Sequence, residues 1–178
     1  SEHADIGIAF DGDADRMLAV DELGNMIDGD QIMAVCGLYM KQQGKLKQDT
    51  ITATIMSNLG FFQMGSREGI NIEQTKVGDR YVLEKMLKKG YNLGGEQSGH
   101  VIFLDENTTG DGLISALHLL EVIVKTGKTL SELSNVMQVL PQALVNAKVS
   151  NLKKEYYMED KEIAEAIEAL EKRFDGAG

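Results

Sequence analysis

Apolar positions along the chain keep two rhythms that alternate with one another. A short apolar run, Ile6–Phe10, is followed after six small or charged residues by a second, residues 17–20, and the turn composition of residues 21–25 closes that segment. Runs of this length with turn chemistry between them predict strands. From Asp30 to Met40 the rhythm changes, because Ile32, Met33, Val35, Cys36, Tyr39 and Met40 recur at helical spacing and Gly44 supplies a stop. Further on, the pattern predicts strands over residues 50–56 and 72–77 and a helix over residues 60–68. The next helix takes Asp79 as its N-cap, presents Val82, Leu83, Met86 and Leu87 as its apolar face, and ends at Gly90. A strand pair, residues 91–93 and 101–104, brackets a glycine-rich loop. A helix from Asp111 to about Lys125 then carries Ile114, Leu117, Leu120 and Ile123, and Thr129–Glu132 has the form of a capping box that opens another.

Alternating strand and helix predicts an α/β layered unit with a mainly parallel, mixed sheet and flanking helices, spanning residues 28–140. Residues 1–27 are too short to own a core and read as the end of a neighbouring domain. Pro141 marks a second break, followed by a strand-like stretch over residues 143–149 and an acidic amphipathic helix with Ile163, Ile167, Leu170 and Phe174 on one face. Residues 141–178 therefore read as the start of a further, truncated domain. Apolar faces on both flanks are expected to fray or to pair with another copy, as in a homodimer.

Composition narrows the class. With 178 residues, 43% of them hydrophobic, and one proline, the chain is long enough to bury a substantial core. No apolar run approaches the ~20 residues that span a bilayer, and the first residues lack a basic-then-apolar leader. Cys36, the single cysteine, sits in a helical apolar pattern and reads as a core residue of a soluble, cytoplasmic protein. A net charge of −10 argues against nucleic acid or an anionic membrane as partner. A small anionic substrate remains compatible if Arg16, Lys76, Arg80 and His100, all near loop signals, converge.

The candidate chemistry lies in two loops. Asp11, Asp13 and Asp15 alternate with Gly12 and Ala14 and are followed by Arg16. Three carboxylates so close together repel unless a hard cation neutralises them, and oxygen ligands suit magnesium or calcium. The apolar run before them reads as a buried strand, which would put the carboxylates at a strand's carboxyl end, where open α/β sheets bind ligands. A solvated turn is the competing reading. An EF-hand places Asp11, Asp13, Asp15 and Glu22 at ligand positions, but its sixth position requires glycine and here is Arg16. In the second loop, Glu96, Ser98 and His100 alternate between glycines, a set suited to reading vicinal hydroxyls with His100 as a proton carrier, or else a polar hairpin tip. Gly78-Asp79-Arg80 reads as a turn with a helix cap or as a ligand contact. Thr108-Thr109-Gly110-Asp111-Gly112 is a helix start whose amides suit an anion or water. His3 and His118 are isolated, His118 among leucines.

Taken together, Asp11-Gly12-Asp13-Ala14-Asp15-Arg16 and Gly95-Glu96-Gln97-Ser98-Gly99-His100 resemble the metal-binding and sugar-binding loops of the α-D-phosphohexomutases. With Gln97, the segments at residues 75–82 and 108–112 are most similar to that family's bacterial branch acting on glucosamine phosphates. The resemblance implies that Asp11, Asp13 and Asp15 hold Mg2+, that Arg16 lies beside a phosphoserine, and that Glu96, Ser98 and Arg80 bind substrate with His100 near the reacting oxygen. It implies a four-domain enzyme interconverting glucosamine 6-phosphate and glucosamine 1-phosphate through a bisphosphorylated sugar, feeding UDP-N-acetylglucosamine and cell-wall synthesis. Residues 1–27, 28–140 and 141–178 would belong to its second, third and fourth domains. A phosphomannomutase or phosphoglucomutase would carry the same loops, and a non-catalytic metal-binding interaction domain is the reading from another class. The family's T-A-S-H-N-P and R-x-S-G-T-E-P type segments do not occur in these residues, so this chain alone is expected to be inactive.

Overall fold

The structure, a computed structural model, describes residues 4–143, 145, 146, 148–150 and 156–174. Its first sheet is antiparallel, with strands β1 (Ile6–Phe10), β2 (Met17–Asp21) and β3 (Met26–Ile27) in that order. The turn between β2 and β3 is fixed by the Asp21 carboxylate, which accepts from the backbone N–H of Leu23 (2.9 Å) and Asn25 (2.8 Å). Met17, Ala19 and Ile27 face inward and are fully buried. The expectation of a buried β1 is corrected: the strand lies at a sheet edge, paired only with β2, and Phe10 is 45% exposed. It leads into a hairpin and not into the parallel sheet.

Next comes α1 (Gly29–Gln42), opened by a capping box between Asp28 and Gln31. Strands β4 (Thr50–Thr54), β5 (Asn71–Thr75), β6 (Leu93–Gly95) and β7 (Val101–Phe103) build the second sheet in the order β5-β4-β6-β7. β4 runs parallel to β5 and β6, and β7 runs antiparallel to β6, so the mainly parallel, mixed sheet is present. Its helices are α2 (Leu59–Glu68), α3 (Asp79–Lys89), α4 (Gly112–Thr126) and the short α5 (Leu130–Ser134). Strand alternation divides the packing. Ile51, Ala53, Val101 and Phe103 join the core formed by α1, α2 and α4, whereas Ile102 packs with Val82 and Met86 of α3 on the other face.

One helix boundary and two helix faces are corrected. Gly78, at φ 126°, is the N-cap of α3, and Asp79 is its first helical residue, because the chain turns into the helix through a conformation that side-chain-bearing residues rarely adopt. Leu87 is 59% exposed and lies off that helix's buried face. On α4 the buried residues are Gly112, Ser115, Ala116, Leu119 and Val122, while Leu117 is exposed. A series spaced by three residues winds around a helix of 3.6 residues per turn, and the true stripe follows i, i+3, i+4, i+7.

By packing, the chain separates into residues 1–140 and residues 141–178. In the second unit, the described residues among 143–149 form no strand, and Leu144 and Ala147 lie outside the described set. The amphipathic helix is present as α6 (Lys161–Phe174), with Ile163, Leu170 and Phe174 exposed.

Candidate functional site

The aspartate loop is the turn of the β1–β2 hairpin. Ala14 closes it in the left-handed region at φ 57°, a conformation costing an alanine roughly 1–2 kcal/mol. Its N–H donates to Asp11 O (3.3 Å), and its own carbonyl accepts from Gly112 N–H (2.9 Å) at the start of α4. The result gathers the carboxylates: ligand oxygens from Asp11, Asp13 and Asp15 lie within 4.8 Å of one another. Arg16 turns back on the loop, donating from Nε to Asp11 Oδ2 (2.7 Å) with Asp15 Oδ1 3.5 Å away. Desolvation raises the Asp11 carboxyl, but the backbone N–H and guanidinium of Arg16 outweigh it and hold the group below its ordinary range.

Do these residues suit a cation? Asp15 Oδ1 is buried and accepts no hydrogen bond among the described residues, Asp13 has no hydrogen-bond partner there, and all the donors are hard oxygens. An orphaned carboxylate oxygen inside a triad fits a magnesium ligand set, so Asp11, Asp13 and Asp15 are the residues that could hold the ion.

The glycine-rich loop is the tip of the β6–β7 hairpin, closed by Glu96 N–H to His100 O (3.0 Å) and Gly99 N–H to Glu96 O (3.0 Å). Two other elements grip this tip. Met17 N–H, at the start of β2, donates to Gly99 O (3.1 Å), and Gly29 N–H, in the first turn of α1, donates to Gln97 O (3.0 Å). Gly29 has to be bare for this: a Cβ there would sit 2.1 Å from Glu96 O. The two hairpins are thus fastened together, with Ser98 beside Asp11 and Arg16 around a cavity of about 250 Å³ also lined by Phe10 and Met17. Ser98 is exposed, and Glu96 is half-buried with Oε1 accepting from Gly78 N–H (2.9 Å).

His100, expected as a proton carrier, is buried at the base of this hairpin. It is 5% exposed, its Nδ1 lies 3.1 Å from Asp15 Oδ2, and its Nε2 accepts from Gly110 N–H (3.1 Å). The helix-start segment at residues 108–112 therefore spends three of its amides inside the protein: Gly110 N–H on His100, Asp111 N–H on Val101 O and Gly112 N–H on Ala14 O. Gly29 was not legible as a site residue, and Gly110 and Gly112 were legible only as a helix start, because their contribution is an absent side chain at a contact distant in sequence.

Arg80 stands on the first turn of α3, its side chain 81% exposed and paired with Glu84 (2.8 Å). Gly78, two residues earlier, is what bonds Glu96 of the hairpin, and Lys76 is likewise exposed. Cys36 is buried and its thiol is pushed up to about 12, which suits a core residue. His118 stacks on Phe103 at 3.9 Å and meets Glu106 at 2.8 Å, away from both loops, and His3 lies outside the described residues.

Sheet, helices and paired hairpins define an α/β/α domain of the phosphohexomutase class. Residues 28–140 match the family model for phosphoglucomutase/phosphomannomutase, alpha/beta/alpha domain III, and the chain belongs to that family. A relative from Ruminiclostridium cellulolyticum, named phosphoglucosamine mutase, is 63% identical over 98% of this chain and 39% of its own length. A solved structure of a phosphoglucomutase/phosphomannomutase family protein from Burkholderia thailandensis superposes with a TM-score of 0.67 at 27% identity, over 79% of this chain and 30% of that one. The N-acetylphosphoglucosamine mutase of Aspergillus fumigatus, solved with GlcNAc-6P and magnesium, shares the fold with a TM-score of 0.66 at 20% identity, over 84% of this chain and 39% of that one. The chain thus spans about two fifths of the length of the curated relative.

Proposed function

We propose that this chain supplies the cation-holding loop and the sugar-reading loop of a phosphoglucosamine mutase, which interconverts glucosamine 6-phosphate and glucosamine 1-phosphate. The carrying observation is that the aspartate hairpin and the glycine-rich hairpin are hydrogen-bonded to one another, Met17 N–H to Gly99 O, despite their distance in sequence. Relatives bearing that name at about 60% identity favour the glucosamine reading over a phosphomannomutase or phosphoglucomutase. Because the chain covers 39% of the first of these relatives, the activity belongs to the longer protein.

Bound at Asp11, Asp13 and Asp15, Mg2+ would offset the charge on a phosphoryl group in transfer. The chain's own residues do the rest. Arg16 is anchored to Asp11 through Nε, which leaves the Nη edge of its guanidinium for a phosphate. Glu96 keeps Oε2 for a sugar hydroxyl while Gly78 N–H fixes Oε1, and the exposed Ser98 hydroxyl can donate or accept. Contacts of that kind serve a sugar presented in either orientation, as transfer to and from a bisphosphate requires. Arg80, exposed and paired with Glu84, would bind substrate by releasing that partner.

A coupled assay on the longer protein tests this reading with glucosamine, glucose and mannose phosphates. The expected kcat/KM is highest for glucosamine phosphate, and Asp13→Ala lowers kcat by roughly 100-fold or more. Asp13 is exposed and makes no hydrogen bond among the described residues, so a loss reports on the site and not on folding. Equal activity in Asp13→Ala would exclude the triad from the reaction.

A further inference from the structure

We propose that His100 is a positioning residue that holds Asp15 in one orientation for a cation, and that Gly110 fixes the ring tautomer which lets it do so. This rests on reading Asp11, Asp13 and Asp15 as cation ligands. The tautomer follows from chemistry. A backbone N–H can only donate, so the Gly110 bond of 3.1 Å requires His100 Nε2 to be unprotonated. In the neutral ring the proton then sits on Nδ1, 3.1 Å from Asp15 Oδ2, and is donated to that carboxylate. One oxygen of Asp15 is thereby fixed, and Oδ1, buried, 3.5 Å from Arg16 Nε and accepting no hydrogen bond among the described residues, is the oxygen left for an ion.

Close packing makes the arrangement specific. A Cβ on residue 110 would lie 2.5 Å from both Cε1 and Nε2 of His100 and 2.6 Å from Cδ2, so the ring can rest on that backbone only if the residue is glycine. Two residues on, Gly112 N–H holds Ala14 O at 2.9 Å, and a Cβ there would meet Arg16 O at 2.8 Å. The segment before α4 is thus a seat for both His100 and the aspartate loop. Outer partners of this kind orient ligands, and their removal typically weakens metal binding by about 10–100-fold.

Two measurements on this chain test the proposal. Long-range 1H–15N spectra of the metal-free chain should show His100 protonated on Nδ1 alone, and a proton on Nε2 would overturn the assignment. Calorimetry with Mg2+ as the only ligand should show His100→Leu and Gly110→Ala binding about 10–100-fold more weakly. His100→Asn, whose amide can replace the Nδ1 donor, should bind within a few-fold of the unmodified chain; wild-type affinity in His100→Leu would overturn the proposal. Asp13→Ala separates the two readings: if it binds Mg2+ undiminished, the cation site itself is wrong, whereas lost binding in Asp13→Ala beside full binding in His100→Leu removes only the positioning role. Should His100→Leu fail to fold, the tautomer and the Gly110→Ala titration still decide.

Discussion

Asp30 is a fully buried carboxylate outside the candidate site. It accepts from the Ser57 hydroxyl (2.8 Å) and Asn58 N–H (2.7 Å), and Asn58 in turn caps α2 and bonds Leu140 through both its amide groups. Burial pushes its carboxyl up from 3.8 to about 6, against the pull of those two hydrogen bonds and with added repulsion from Asp28. Between those values the folded chain keeps a proton that the unfolded chain has released. The group's contribution to stability is therefore complete below about 3.8 and lost as pH rises through about 6, on the order of 3 kcal/mol. Glu22, drawn down to about 2 chiefly by the Ser131 hydroxyl, acts in the opposite sense and mostly at lower pH. Urea unfolding of Asp30→Asn should show a flatter dependence on pH between 4 and 6 than the unmodified chain; an unchanged slope would assign the effect to another group. At this scale the three aspartates were legible, because like charges at alternate positions carry their own chemical logic. The contact between His100 and Asp15 was not, since the two are 85 residues apart.

For whole elements, hydrophobic rhythm located nearly every strand and helix but not always the face that each one buries. The expected stripe on α4 placed Leu117 inside, and packing puts Leu119 there. Leu119→Ala should cost about 2–5 kcal/mol by chemical denaturation, and Leu117→Ala within about 0.5 kcal/mol. The reverse order would mean that the helix is turned about its axis. Strand partners were harder still to read. β1 looked like a buried strand and is an edge strand, because a five-residue apolar run carries no record of which neighbour completes it. The hairpin that it forms has a functional consequence, since only a tight turn brings Asp11 and Asp15 back to the same point.

Across the whole molecule, the resemblance of two loops gave the family, and residues 28–140 are the span that the family model matches. The proposed assignment of residues 1–27 to a neighbouring domain concerns the longer protein. Within this chain, Met17, Ala19 and Ile27 share one core with Ile32, Met33 and Leu119, and Glu22 accepts from Ser131 N–H (3.3 Å) at the start of α5. Fraying expected of the leading segment is therefore not what its packing favours. That shared core holds the aspartate hairpin against the glycine-rich one, and the proposed function requires a divalent cation where they meet. The most direct measurement is anomalous diffraction from crystals of this chain soaked in millimolar Mn2+. The expected result is a peak among the carboxylates of Asp11, Asp13 and Asp15, with Asp15 Oδ1 as a ligand and His100 still bonded to Oδ2. A peak elsewhere, or none at the triad when the ion is saturating, would contradict it.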